Sequence, residues 1–477
     1  MIFDRQKELN RLQKAYKSEN STFVAVDGRL HIGKTTLVTQ CFNHRFSFFH
    51  TGLFKASRAD QIKAFCNTLA KSGFAKVIKG NFVYPTNWLD AFSLLEEYLL
   101  TLPKGKKVVF IDEVSWMDTQ KSGLVTALEF FWNGWTSARK DIMLIVCASA
   151  TSWMLDNIIH NKGGLYNRIT DRIHLKAFNL SECKEFVEAN HIAMNDYQIL
   201  ECYMIMGGVP YYWTLLDRSL SLPQNIDRIF FKEDAPLKDE FEYLYRALFN
   251  KPKKYIEIIN AFGRKKAGLT REELCSALKL NQSGIITKKL ADLEACGFVR
   301  KFHEFEKKNR GAVYQLIDNF TLFYFKFMEH KQTDEHFWEN QHSSPTLNAW
   351  RGLAFERVCL QHIDAIKKKL GISGVLTDVC AWSCRADPNK GLKGSQIDLL
   401  IVRKDQVINL CKMKFCADNF TVTLAVDESL RKKISDLYTA TNTKYAVQKT
   451  IITTYGLTDN MYSGTIQSCV TAKDLFD

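Results

Sequence analysis

The stretch TFVAVDGRLHIGKTTLV, residues 22–38, constrains the fold of this chain more than any other. It reads as an apolar strand, a loop bounded by Gly28 and Gly33, and the start of a helix. Gly28-x4-Gly33-Lys34-Thr35 satisfies the phosphate-loop pattern. The two glycines let the backbone curl around a phosphate. The loop N–H groups and the helix N-terminus then point at the anion. Lys34 reaches the β- and γ-phosphates, and Thr35 offers its hydroxyl to Mg²⁺. The expected cradle is Gly28, His31, Ile32, Gly33, Lys34, Thr35 and Thr36, and the expected ligand is ATP with Mg²⁺.

Two later strands complete the pattern. KKVVFIDEVSWMD, 106–118, carries Val108–Ile111 and then Asp112-Glu113. An acid at a strand end beside the phosphate loop can hold magnesium through water, which is the role expected of Asp112. Glu113 can polarise the attacking water as general base, so the pair favours hydrolysis over transfer to another substrate. DIMLIVCASATSWM, 141–154, ends in a polar run. Ser149 is the first candidate to sense the γ-phosphate and Thr151 the second, although Ser and Thr also serve ordinary turns. Arg168 follows Gly163-Gly164, with Arg172 close behind. Arg168 fits an arginine finger, given in cis or to a neighbouring subunit, or a structural ion pair.

Phe3, Arg5, Glu8 and Leu9, the phosphate loop, the Asp-Glu strand, ASATSWM, GGLYNRI and GGVPYYW together resemble the prokaryotic AAA-like ATPases near the signal-transducing STAND branch. The resemblance covers roughly residues 1–245. It implies that Arg5 lies near the adenine and that Gly208-Val209-Pro210 sits in a helical lid closing on the nucleotide. One departure is visible: the family's strand usually ends Cys-Gly-Ser, and here it is Cys147-Ala148-Ser149.

The chain has 477 residues, enough for about three domains. It has no apolar run of about 18 residues and no signal-peptide pattern, so no membrane span is expected. Its 13 cysteines are scattered through apolar segments, which suits a reducing cytoplasm. Cys380-x3-Cys384 and Cys411-x4-Cys416 lack the usual zinc spacing. The net charge is +13, and residues 251–310 hold 15 Lys/Arg against 7 Asp/Glu. From charge alone, such a patch is either a site for a polyanion, most simply nucleic acid, or a solvated basic surface.

That basic stretch reads as three helices and a hairpin. KKYIEIINAF has helical apolar spacing, LTREELCSAL opens on a Thr270/Glu273 capping box, and Ile285, Ile286, Leu290 and Leu293 mark a third helix. The hairpin spans 298–318 around a charged turn. This is the winged-helix order, which places a recognition helix in the major groove. Gln282, Thr287, Lys288 and Lys289 would face DNA, and Lys307, Lys308 and Arg310 would touch phosphate at the wing tip. The alternative is an intramolecular lid or a protein contact.

The C-terminal part is expected as a mixed α/β domain. WRGLAFERVCLQHIDAIKKKLG, 350–371, reads as one amphipathic helix with Glu356 near its start. SQIDLLIVRKDQVINLCKMKF, 395–415, reads as two strands around a polar turn. Helix-Glu, Gln396-Ile397-Asp398 and then x-Lys414 resemble the restriction-endonuclease-like PD-(D/E)xK domain. Lys412 stands where that family carries its second acid, so the degenerate site is Glu356, Gln396, Asp398, Lys412 and Lys414. An inactive module that binds nucleic acid or protein is favoured, with an active nuclease or a purely structural hairpin as alternatives.

The architecture expected is therefore α/β: an ATPase core at 1–178, a helical lid at 179–248, a winged helix at 249–330 and an endonuclease-like domain at 331–477. Expected partners are DNA through the winged helix, and another copy or a protein through the lid and C-terminal domain.

Overall fold

The computed structural model describes residues 5–78, 82–249, 251–280, 284–307, 311–330, 334–341, 344–390 and 392–477. The chain forms two compact units. One is Met1–Ala177 with Leu244–Pro252, and the other is Phe178–Tyr243 with Lys253–Asp477. The second unit thus takes in most of the stretches expected as lid and winged helix together with the C-terminal part, while 244–252 joins the first. No helix among the described residues is long and apolar enough to cross a membrane.

In the first unit, β1 (Thr22–Asp27), β2 (Phe48–Thr51), β3 (Lys107–Asp112), β4 (Ile142–Ala148) and β5 (Asp171–His174) form one sheet in the order β2-β3-β4-β1-β5. Every pairing is parallel. All residues of β1, β3 and β4 are buried, as a sheet covered on both faces requires. Alternate residues feed two cores. Phe23, Val109, Ile111, Leu144 and Val146 pack with Phe65, Leu69, Phe92 and Leu95 of helices Arg58–Lys71 and Trp88–Thr101. Val24, Val26, Phe110, Met143 and Ile145 pack with Leu12 and with Leu37 and Val38 of helices Gln6–Tyr16 and Lys34–Cys41.

His50 of β2 is buried, with Nδ1 2.9 Å from Thr68 Oγ1. Burial holds its imidazole down at about 4, below the ordinary 6.5. The neutral ring belongs to the folded state, so the stability it carries is complete above 6.5 and is lost as pH falls toward 4. Between pH 7.5 and 5.0 this group alone is expected to remove about 2 kcal/mol. The drop in urea midpoint between those pH values should shrink in His50→Gln.

The second unit opens with helices Leu180–Ala189, Asp196–Met206, Pro210–Thr214 and Leu222–Ile226. Asn179 with Glu182, Asn195 with Gln198, and Ser221 with Gln224 form capping boxes at three of them. Gly208 allows a close chain crossing, because a Cβ there would lie 1.8 Å from the Phe178 carbonyl oxygen.

Helices Pro252–Arg264, Arg271–Ala277 and Gly284–Ala295 follow, with a small sheet of β6 (Leu269–Thr270), β7 (Val299–Phe302) and β8 (Val313–Leu316) in the order β6-β8-β7. Ile286, Leu290 and Leu293 are buried, but Ile285 is 66% exposed, against the expected stripe. At 100° per residue, the three buried positions define one face and Ile285 falls beside it. Past β7 the chain joins the next sheet: Phe305 N–H donates to the Ala381 carbonyl at 2.8 Å, and Phe305 enters that sheet's core. Phe320, Phe323 and Phe327 are core aromatics, with Trp338 and Trp350 against the last two and Tyr212 and Phe230 against Phe320.

The last sheet holds β9 (Thr377–Asp387), β10 (Leu392–Arg403), β11 (Val407–Lys414), β12 (Ala446–Thr453) and β13 (Ser468–Thr471) in the order β13-β12-β11-β10-β9. β9, β10 and β11 are antiparallel neighbours, and β12 and β13 add on in parallel. The helix expected over 350–371 is corrected. It runs Pro345–Gln361, breaks at His362 and resumes as Ile363–Lys369. Ser344 caps it ahead of Pro345 at the first turn, so Glu356 lies in its later part.

Candidate nucleotide site and a second charged cluster

The order of strands builds the first site. β4 lies between β1 and β3, so Ser149, just past β4, stands between the phosphate loop and the Asp-Glu pair. Lys34 is 4% exposed, and its Nζ donates to the Arg29 carbonyl at 2.8 Å and to Ser149 Oγ at 2.9 Å. Ser149 Oγ also contacts the Glu113 carboxylate, and Ser149 N–H donates to Glu113 Oε2 at 3.0 Å. Thr35 Oγ1 donates to Asp112 Oδ2 at 2.8 Å. Lys34, Ser149, Glu113, Thr35 and Asp112 thus converge at the carboxyl ends of three parallel strands, where α/β sheets bind ligands.

Backbone conformation supports this convergence. Gly33 caps the helix with φ +84, and His31 also has positive φ at 68. Gly28 has φ +148, and a Cβ there would lie 2.3 Å from the Leu175 carbonyl. Glu113 is left-handed at φ 47, ψ 43, an uncommon conformation for a non-glycine residue and a strained one. Its N–H donates to Asp112 Oδ1 at 3.0 Å. Gly52 makes room for it, since a Cβ there would lie 2.6 Å from the Glu113 carbonyl.

Burial raises the Glu113 carboxyl above its ordinary range, opposed by the charge of Lys34 and the bond from Ser149. His31 is held down at about 4 by burial and by the charges of Arg29 and Lys34. Ile32 is buried, and Thr36 lies in the first turn of the loop's helix. The residues present fit a triphosphate and its Mg²⁺. Ser115 Oγ and Thr151 Oγ1, just past β3 and β4, are buried without a hydrogen-bond partner, as groups awaiting a ligand or its water would be.

Other expected residues fall as follows. Arg5 is buried and donates to the Lys176 carbonyl at 2.8 Å. Arg168 is exposed, without a carboxylate partner among the described residues, so the ion-pair alternative is not realised there. The ion pair belongs instead to Arg172, which grips Asp27 through two bonds of 2.8 and 3.1 Å. Asp27 went unnoticed in the sequence, where its signal was an acid ending an apolar strand. Pro210 lies in the second unit, at the first turn of Pro210–Thr214. Thr287 and Lys288 are exposed on helix Gly284–Ala295. The Lys289 ammonium sits 3.7 Å from the Tyr255 ring centroid, and Lys307 pairs with Glu304. Gln282, Lys308 and Arg310 lie outside the described residues.

The C-terminal hairpin forms with Leu399 opposite Cys411, which brings Asp398 and Lys412 close to each other at the end of that pairing. Gln396 Nε2 donates to Asp398 Oδ1 at 2.7 Å, and Lys433 Nζ to the Gln396 carbonyl at 2.6 Å. Glu356 is pushed up by burial and next by Asp398. Lys412 is pushed down by burial and next by Lys433 and Lys414. Arg300 of β7 and Arg357, next to Glu356, belong to the same cluster; Arg300 carried no sequence signal because β7 is remote in the chain. Burial, and next Arg357, hold Arg300 down at about 9. These residues do not fit Mg²⁺. Lys412 brings an ammonium and no hard oxygen ligand to the cluster, and an ammonium at about 4 Å costs a dication ~2 kcal/mol even at water's dielectric.

The parallel sheet, phosphate loop and paired acids define the first unit as a P-loop ATPase domain. More particularly, residues 2–216 match the family described as an ATPase domain predominantly from Archaea. An uncharacterized protein of Methanocaldococcus jannaschii is 24% identical over 405 residues, 84% of each chain. Among solved structures, the Walker-type ATPase of Pyrococcus abyssi is 17% identical with a TM-score of 0.47, covering 67% of this chain and 95% of that one. The Aeropyrum pernix ORC2 protein, in ADPNP–ADP complexes, is 14% identical with a TM-score of 0.40, covering 75% of this chain and 92% of that one.

Proposed function

We propose that this chain is an ATP-hydrolysing switch that couples its nucleotide state to a winged-helix DNA contact and to an inactive nuclease-like C-terminal domain. The observation that carries the reading is the bonded row Lys34–Ser149–Glu113. It ties the phosphate-binding lysine to the general base through the sensor serine. A γ-phosphate at Lys34 competes with Ser149 for that ammonium. Ser149 and Glu113 then reorient together, and Glu113 can engage a water. Thr35 and Asp112, already bonded to each other, would hold Mg²⁺, which would neutralise phosphate charge there. Arg168, exposed and unpaired among the described residues, serves as a finger toward a neighbouring subunit. Arg5 adjoins the adenine, and Pro210 belongs to the lid.

The helix and hairpin order of 252–316 supports the winged-helix reading, with Thr287 and Lys288 on the exposed face of its third helix. The protein works in the cytoplasm, as a homo-oligomer or with a protein partner. The test is ATP turnover by the wild type and Lys34→Ala, with and without duplex and single-stranded DNA, across salt concentrations. The wild type should turn over ATP, DNA should change the rate in a salt-sensitive way, and Lys34→Ala should abolish turnover. A wild type without turnover under every condition would sink the switch reading. It would leave a DNA-binding regulator.

A further inference from the structure

Seven charged side chains of the second unit form one electrostatic cluster. Glu356 and Arg357 come from helix Pro345–Gln361, Asp398 from β10, Lys412 and Lys414 from β11, Lys433 from helix Leu424–Thr441, and Arg300 from β7. Gln315, which accepts from Arg300, donates to the same Lys266 carbonyl as Arg357, and Lys433 bonds the Gln396 carbonyl beside Asp398. Asp398 acts electrostatically on Arg300, Glu356, Arg357, Lys412 and Lys433. Five are cations and two are acids. Among the described residues, none of the five cations has a carboxylate at salt-bridge distance, and all but Lys414 are withdrawn from full exposure. Groups so placed repel one another unless an anion joins them.

The cluster is also held in place. The Arg300 guanidinium stacks on Phe302 at 4.4 Å, and its Nε donates to Gln315 Oε1 at 2.8 Å. Arg357 donates to the Lys266 carbonyl at 2.6 Å, and Lys433 to the Gln396 carbonyl. The chain beyond β7 is bonded to β9 through Phe305 and Ala381, which ties the Arg300 strand to the terminal sheet. These contacts leave the outer guanidinium nitrogens of Arg300 and the ammoniums of Lys412 and Lys414 without a hydrogen-bond acceptor among the described residues.

We propose that this cluster binds a phosphate group directly, without a metal ion, with Lys412 supplying the positive charge that a divalent cation supplies in a nuclease of this frame. Two guanidiniums offer the fork geometry that matches phosphate oxygens, and Lys412, Lys414 and Lys433 add point charges. The phosphate belongs either to a nucleic-acid chain or to a small phosphate compound. The proposal rests on the nuclease-like reading of the terminal domain and is independent of ATP turnover.

The experiment uses the full chain carrying Lys34→Ala, which disables the phosphate loop, in excess EDTA. Inorganic phosphate is titrated by calorimetry. A fluorescein-labelled, 5′-phosphorylated single-stranded oligonucleotide is titrated by anisotropy. At least one probe should bind, and Lys412→Gln and Arg300→Gln should each weaken it by about tenfold or more. Displacement of the oligonucleotide by inorganic phosphate assigns the site to a free phosphate compound. Oligonucleotide binding that phosphate does not displace assigns it to a nucleic-acid backbone. Either result upholds the site. Absence of binding by both probes in EDTA overturns it, as does binding that neither substitution changes. Lys414→Gln, at an exposed position, serves as a further variant should either substitution lower the thermal midpoint.

Discussion

Glu113→Gln lowers ATP turnover by about 10²–10⁴-fold, the span over which a positioned base accelerates proton transfer, and leaves nucleotide affinity near the wild-type value. The amide keeps the shape of the carboxylate and can still accept the Ser149 N–H bond now made to Oε2. It cannot take a proton from water. Lys34, Thr35 and Asp112, which would hold the phosphates and magnesium, are untouched. Lys34→Ala should behave differently, losing binding as well as turnover, if its ammonium holds the phosphates as proposed. A coupled turnover assay beside equilibrium binding of a fluorescent ATP analogue separates the two. If Glu113→Gln turns over ATP at the wild-type rate, Glu113 is not the base and the row through Ser149 has another purpose.

The second large effect concerns Glu201 and Arg351. Both are buried, and Arg351 Nε donates to Glu201 Oε1 at 2.9 Å, joining helix Asp196–Met206 to helix Pro345–Gln361. Removing one partner strands the other charge out of water, so Glu201→Ala should cost about 3–5 kcal/mol in urea unfolding of the second unit. Replacing both with leucine should recover much of that loss, because the pair's attraction roughly offsets its desolvation. A double variant as unstable as Glu201→Ala would mean that the cavity, rather than the stranded charge, sets the cost. The same helix carries Glu356 and Arg357, so the single variant should also weaken phosphate binding by the C-terminal cluster.

How much of this was legible beforehand depends on how local each signal is. The phosphate loop, the Asp112-Glu113 pair and the 395–415 hairpin were readable because a few adjacent residues carry both the backbone demand and the chemistry. The helix break at His362 was not, because the apolar spacing runs on through both helices. Ile285 was misplaced because two adjacent isoleucines both fit a coarse stripe, and only packing chooses between faces 100° apart. Asp27 was passed over because an acid closing an apolar strand matches no motif until Arg172 arrives from another strand.

Residue type and short spacing alone mark the phosphate loop, the acids that accompany it and the lysine at 412. That β4 inserts between β1 and β3, so that Ser149 meets Lys34 and Glu113 together, emerges with the folded sheet. Only the tertiary structure brought Arg300 from the hairpin of the basic stretch to a cluster whose acids lie at 356 and 398. Strand order and cross-chain docking come from hydrogen bonds and burial between segments tens to more than a hundred residues apart, and no window of the chain contains both partners.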